Sequence, residues 1–443
     1  MVLSIALAGA VSGSCASSSS APSPPTTPFT IWVFDEGATT ADDGAPLPGV
    51  MVAIDPTDAS TTPGAARIIK TTEADGHVTF DADLSHGAVH VSAFSPDHTL
   101  VTMLETSPDT ARARPNTFGK PAEDLAIILP RLDATIRSAA IGLHGAISGK
   151  RDPADSISLS ASAVRRIGQA ETKAATYALR GPKNLPFVVL GHESGTQSDT
   201  NGVITFEHVK SFRVDVPATG ADQLLDIDVG SMTALPVQPL HVRAAIPAAS
   251  SGATSPFVPG TRASAIVGST DSALLVGTFG SVAATSDALG FDLVVNVAQT
   301  DIAPERISTQ AAIVAPDGTT TLRTELGIAA DATVWSDFLF PMPVADTNRS
   351  IADPIPLDGF PAGAELRLEV FAADQLVWVL SGPPGGPRGP TVTMPPSLGI
   401  DFPISVQLVA VSVIAQADRV PLPPHGELYR RVAVSRDVNL RRN

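Results

Sequence analysis

The chain has 443 residues, enough for about three or four domains of ordinary size. Its 17 % charged and 43 % hydrophobic residues exclude a globally disordered polypeptide. With 45 acidic against 29 basic residues the net charge is −16, which argues against nucleic acid as a partner, because that binding draws its affinity from Lys and Arg.

Residues 2–11 (VLSIALAGAV) are small and apolar, the length of a signal-peptide core and too short to cross a bilayer. Ser12-Gly13-Ser14-Cys15 follows, and then a Ser/Pro-rich run that ends at Pro28. Residues 1–15 resemble a bacterial lipoprotein signal that ends in Cys15. The resemblance implies a lipid on Cys15 as the first residue of the mature chain, with residues 16–28 as a linker holding the folded part off the membrane. The alternative is an ordinary secretory leader in which the cysteine is incidental. Cys15 is also the one cysteine, which excludes a disulfide framework and a multi-thiolate zinc site. No later stretch approaches the ~18 apolar residues of a membrane-spanning helix.

From residue 29 onward the pattern is that of strands. Short runs rich in Val, Ile and Thr recur at 29–34, 50–54, 89–93, 126–129, 187–190, 293–297, 365–371, 376–380 and 406–414, punctuated by Gly, Pro, Asp and Asn. The 39 prolines exclude long helices over most of the chain, since each removes a donor and clashes with the preceding turn. Residues 161–175 are the best candidate for a short helix. The expected class is all-β, as tandem β-sandwiches of Ig-like or prealbumin-like type.

An internal repeat supports this. Asp75-Gly76-His77-Val78-Thr79-Phe80 returns as Asn201-Gly202-Val203-Ile204-Thr205-Phe206. Asp-Gly and Asn-Gly supply the positive φ of a tight hairpin, and the apolar residues two apart then share a face. Asp317-Gly318 repeats the turn and the rhythm. The first copy, with Leu47-Pro48-Gly49-Val50 upstream and Thr71-Thr72-Glu73-Ala74-Asp75-Gly76, resembles the carboxypeptidase regulatory-like family. That resemblance implies a small prealbumin-like sandwich over residues 29–132, a spacer rather than an enzyme, related in fold to some starch-binding modules. A looser second copy covers 133–235. Pro-rich polar segments near 130–135, 234–239 and 341–358 divide off two further β-rich regions, 236–345 and 346–443.

The catalytic motifs are near-misses. In Gly145-Ala146-Ile147-Ser148-Gly149 the serine sits one place late for a nucleophile elbow. His192-Glu193 lacks the second histidine of a zinc-protease helix, and the stretch ending Gly149-Lys150 has His144 and Arg151 where a phosphate loop needs Gly and Ser or Thr. His77, His86, His90 and His98 are read as solvent-facing rather than as metal ligands. Asp152 with Asp155, and Glu73 with Asp75, are read as turn formers rather than calcium ligands. No catalytic residue, metal or cofactor is therefore assigned. Among the three tryptophans, Trp32 and Trp378 lie in apolar runs that read as buried strands. Trp335, beside Asp337, is the best exposed platform for a sugar ring. At the chain's end Arg430, Arg431, Arg436, Arg441 and Arg442 form its one arginine cluster, too small to reverse the acidic balance.

The expected protein is a non-catalytic, exported, lipid-anchored cell-envelope scaffold or binding module. Its expected partners are the membrane, through Cys15, and a glycan or an envelope protein. The alternative is a carbohydrate-binding array of a secreted glycan-degrading system, and a third class is a hydrolase assembled from distant residues.

Overall fold

The computed structural model describes residues 29–36, 44–56, 67–80, 89–107, 120–121, 124–132, 140–162, 166–172, 174–198, 204–245, 262–269, 280–283, 290–327, 334–335, 339, 350, 353–372, 375–383, 386, 391–392, 408–422, 426–435 and 438–441. The chain is all-β, and each strand run expected from the sequence falls on a strand. Among the described residues no helix is long and apolar enough to cross a membrane.

The first seven strands are β1 (Phe29–Asp35), β2 (Met51–Pro56), β3 (Ile68–Thr71), β4 (His77–Phe80), β5 (Val89–Phe94), β6 (Leu100–Thr106) and β7 (Leu125–Leu129). β1 lies between β4, antiparallel to it, and β7, parallel to it. The facing sheet runs β3-β2-β5-β6. Alternation places Phe29, Ile31 and Val33 of β1 inward, against Val52 and Ile54, Val78 and Phe80, and Val91. This is a two-sheet sandwich.

Its Asp75-Gly76 turn departs from the expected hairpin. Gly76 takes φ +82°, as a tight turn requires, and a Cβ there would lie 2.7 Å from Pro46 Cβ. The two arms nevertheless part company: β3 pairs with β2, and β4 pairs with β1 in the opposite sheet. The turn is a crossing between layers. In the second copy the two flanking strands do pair with each other, as a long hairpin ladder.

That hairpin belongs to the next group, β8 (Ala140–Ser148), β9 (Ser156–Ser162), β10 (Arg166–Thr172), β11 (Thr176–Pro182), β12 (Phe187–Ser198), β13 (Ile204–Val216), β14 (Gln223–Leu224) and β15 (Ile227–Asp228). β12 and β13 pair antiparallel from Phe187↔Val216 to Ser198↔Ile204, within a sheet ordered β10-β9-β12-β13. β11, β8 and the short β14 and β15 make the facing layer. Ile141, Leu143, Leu159, Phe187, Val189 and Phe212 fill the space between them. Within the candidate helix at 161–175, residues 166–172 are strand β10, which pairs with β9. The neighbouring strand there outweighs a weak helical propensity.

Residues beyond 236 supply β16 (Val237–Ala245), β17 (Arg262–Ser269), β18 (Gly280–Ala283), β19 (Gly290–Ala298), β20 (Ile307–Val314), β21 (Thr320–Leu326) and β22 (Val334–Trp335). They are followed by β23 (Ile355–Pro356), β24 (Glu365–Ala372), β25 (Gln375–Ser381), β26 (Thr391–Val392), β27 (Leu408–Leu422), β28 (Gly426–Val434) and β29 (Val438–Arg441). The Asp317-Gly318 turn joins β20 and β21 in a true hairpin, with Gly318 at φ +88° and Asp317 Oδ1 accepting from the Thr319 N–H at 3.0 Å.

Among the described residues the largest sheet has 13 strands and draws on three separate parts of the chain. Its order is β18-β17-β20-β21-β28-β27-β24-β25-β6-β5-β2-β3, with β29 also on β27. At the join, β25 runs parallel to β6 in the register Trp378↔Leu100 to Ser381↔Met103. Trp378 is 2 % exposed and donates its indole N–H to Thr102 Oγ1 at 2.9 Å. One apolar cluster spans the join, containing Ala53, Leu100 and Leu104 together with Leu366, Leu368, Trp378 and Val411.

Candidate functional site

Of the two residues singled out from the sequence, Cys15 lies outside the described residues. Trp335 is placed only as backbone, in β22 beside Ala244 of β16, and its side chain lies outside the description. The chemistry has to be sought among other residues.

The nearest approach to a nucleophile, base and carboxylate in line is Ser95, His98 and Asp35. His98 Nδ1 lies 3.2 Å from Ser95 Oγ, and its Nε2 lies 3.4 Å from Asp35 Oδ1. Such a line activates a serine only if the carboxylate is available to stabilise an imidazolium. Here Arg131 compensates it: Arg131 Nε donates to Asp35 Oδ1 at 2.9 Å and to Oδ2 at 3.1 Å, and its Nη2 also donates to Oδ2. Asp35 and His98 are 4 % and 7 % exposed. Ser95 to His98 is itself a turn, closed by the His98 N–H on Ser95 O at 3.0 Å. Thr99 N–H to Pro130 O (2.7 Å) and Leu132 N–H to Asp97 O (3.0 Å) stitch that turn to the end of β7. The group is a joint between the two layers of the first sandwich.

A second Ser–His contact joins His192 and Ser211, cross-strand partners on β12 and β13, with Nδ1 and Oγ 2.8 Å apart. Both are sealed, at 2 % and 0 % exposure, so no substrate carbonyl reaches the hydroxyl. Glu193 is likewise buried and accepts from the Arg151 N–H at 2.7 Å. Asp155 accepts from the Asp152 N–H at 2.9 Å and meets His208 Nε2 at 2.9 Å. These groups close one end of the second sandwich. The phosphate-loop-like glycine at 145 is in strand β8, where a Cβ would lie 2.2 Å from Leu225 O; it is there for a close backbone approach.

Two of the histidines read as solvent-facing are not. His98 is buried as described. His90 is largely shielded, and its Nδ1 accepts the Glu105 N–H at 3.2 Å. Burial lowers its pKa, against an opposing pull from Asp55. His86 lies outside the described residues.

The outer face of β1 carries the partly exposed residues Thr30 and Trp32. Alternation sends Thr30 and Trp32 outward, so Trp32 is half-buried at the surface, whereas the apolar run around it suggests a core residue. Trp378 occupies the core as expected. The Trp32 indole N–H donates to Asp124 Oδ2 at 2.8 Å, which fixes the ring. Lys120 Nζ lies 3.7 Å from the ring centroid, and the His77 ring lies 5.0 Å away at 35°. His77 Nδ1 is 2.5 Å from Asp75 Oδ1, a contact that lowers the Asp75 pKa. Glu73, Asp75 and His77 bring one potential ligand atom each within 4.8 Å of one another. Alternation over the first five residues of β1 is the signal that finds Trp32: inward Phe29, Ile31 and Val33 put residue 32 outside.

No family model matches the chain, and no curated protein matches it. Among solved structures it is similar to a tip fimbrial protein from Porphyromonas gingivalis, at 7 % identity and TM-score 0.15, over 42 % of this chain and 81 % of that one. A pilus adhesin from Lactobacillus rhamnosus GG matches at 10 % identity and TM-score 0.16, over 82 % of this chain and 44 % of the adhesin. A streptococcal ancillary pilin matches at 10 % and 0.15, over 70 % and 98 %. TM-scores of this size do not define a shared fold; the all-β architecture is a property of this chain's own sheets.

Proposed function

We propose that this chain is a non-catalytic, exported cell-envelope protein, held at the membrane by a lipid on Cys15 and serving as a scaffold or binding module. The observation that carries the non-catalytic part is the use of its reactive groups as joints. Asp35–His98–Ser95 is compensated by Arg131, and His192–Ser211 is sealed between strands. Catalysis needs such groups at an accessible surface, poised to change charge. The stacked sandwiches and the shared 13-stranded sheet suit a protein that presents surfaces and resists distortion. The lipid anchor rests on residues 1–15 of the sequence, and the spacer role on the carboxypeptidase regulatory-like motifs at 44–52 and 71–80.

Membrane fractionation of the wild type beside Cys15→Ala tests the anchor. The wild type is expected in the membrane and the variant in the soluble fraction; identical partitioning would remove the anchor. Assaying ester hydrolysis by the wild type and Ser95→Ala tests the rest. Activity lost with Ser95 would make the first sandwich an enzyme.

One observation favours carbohydrate binding as a second reading: Trp32 holds a half-buried indole at the surface, fixed by Asp124, on which a sugar would take the place of Lys120 over the ring. A flat ring with few torsions to freeze suits a sugar face. A polysaccharide panel screened with Trp32→Ala and Trp335→Ala separates the two platforms. Binding indifferent to both substitutions would leave the scaffold reading alone.

A further inference from the structure

The turn that crosses between the layers of the first sandwich carries side chains that its own folding does not use. Its backbone is closed by main-chain bonds: the Glu73 N–H donates to His77 O at 2.8 Å, and the Gly76 N–H to Glu73 O at 3.0 Å. The Val33 N–H donates to Gly76 O at 2.9 Å and ties the turn to β1. To this the Asp75 carboxylate adds only a 3.4 Å contact with the His77 N–H. Among the described residues the Glu73 carboxylate has no hydrogen bond and no ion pair. A turn-forming role therefore explains Asp75 in part and the Glu73 carboxylate not at all.

Glu73 and Asp75 are exposed, His77 is half-buried, and one donor atom of each lies within 4.8 Å of the others. The Trp32 ring, 5.0 Å away, restrains the His77 ring, whose Nδ1 is 2.5 Å from Asp75 Oδ1. Lys120 and Asp124, the charged groups on the Trp32 indole, are opposite in sign, so the two carboxylates of the turn are left to draw a cation. The donor set identifies its class. Calcium and magnesium take oxygen ligands, whereas an imidazole beside carboxylates suits zinc and its first-row neighbours. Such an ion lies about 2.0–2.2 Å from each ligand, which brings the ligand atoms within about 4.4 Å of one another. Side-chain rotation covers the difference, because the main chain of the turn is closed without them.

We propose that Glu73, Asp75 and His77 form a binding site for a divalent ion of the zinc type, with a fourth coordination position open to solvent. The ion links the residues that leave β3 to the first residue of β4, and so holds the crossing between the two layers. Binding only the folded turn, it stabilises the first sandwich by mass action. The site goes beyond the scaffold reading and does not depend on the lipid or on a sugar at Trp32.

Isothermal titration of the full chain with zinc chloride, at a pH above the ordinary histidine value of about 6.5, tests it. Saturable binding is expected, weakened about tenfold or more by each of Glu73→Gln, Asp75→Asn and His77→Gln, since losing even an outer partner of a ligand costs about that much. Asn keeps the turn chemistry of Asp, so Asp75→Asn separates loss of the ligand from loss of the turn. His144→Gln removes an exposed histidine of β8 and should leave binding unchanged. Zinc should raise the thermal unfolding temperature of the wild type and not that of His77→Gln. Nickel chloride locates the ion: it should quench the tryptophan emission of the wild type, and quench Trp32→Phe less, because His77 stands beside Trp32. No saturable zinc binding up to about 1 mM would overturn the proposal. Undiminished binding in any of the three ligand variants, or nickel quenching unchanged by Trp32→Phe, would place the ion elsewhere and overturn it as well.

Discussion

His90 shows how one side chain can tie folding to pH. It sits across from Asp55 on β2, and Asp55 is held by Arg67 at 2.9 Å. Its Nδ1 accepts the N–H of Glu105, a residue at φ +49° beside a register shift between β5 and β6. That acceptor exists only while Nδ1 is unprotonated, and burial favours the neutral ring as well. The folded pKa is therefore below the unfolded one. The stabilisation is complete above the ordinary histidine value of 6.5 and is lost as pH falls below it. Chemical denaturation between about pH 7.5 and 5.5 should show the wild type losing stability toward acid, and His90→Gln losing less. Equal slopes would show that His90 does not carry the effect.

At the scale of elements, three Asp-Gly or Asn-Gly segments of the same local chemistry have different outcomes. Asp317-Gly318 closes a hairpin and the Asn201-Gly202 segment joins the paired strands β12 and β13, while Asp75-Gly76 sends the chain from one layer to the other. A turn dictates reversal of direction; it does not name the partner of the departing strand. The partner of β4 is decided by what its inward face buries, since Val78 and Phe80 meet Phe29 and Ile31 across the β1 ladder. For this reason the strands, their faces and the all-β class were readable from alternation, and the pairings were not. Trp32 was misread because an unbroken apolar run hides which residue of a strand points outward. The crossing is also vulnerable. Gly76→Ala forces a β-carbon into Pro46 and Leu47 at a positive φ, and is expected to cost about 1–3 kcal/mol in thermal or denaturant unfolding. The same change at Gly318, which has positive φ and open space around it, should cost less. If the two proved equal, the Pro46 contact would carry no weight.

The largest sheet is joined at a contact that no local pattern announces. Trp378 and Thr102 are 276 positions apart, and their hydrogen bond lies inside the ladder that joins β25 to β6. Nothing in residues 89–106 distinguishes a strand destined for the sheet interior from one at its edge, so this partnership was not legible. Without β25, β6 would present a full row of unpaired backbone groups beside Leu100 and Leu104. A chain ended at residue 345 is accordingly expected to self-associate, as read by light scattering, where the full chain does not. A monodisperse truncated protein would show the edge to be protected in some other way.

The β25–β6 ladder also sets a timetable. A ribosome delivers Thr102 long before Trp378, and at roughly 5–20 residues per second the 276 positions between them take roughly 14–55 s to make. A first sandwich that folded within that interval would carry β6 as an unpaired edge. A holding chaperone, or passage across the membrane before folding begins, would bridge the gap; the sheet that is first to form is the last to be finished.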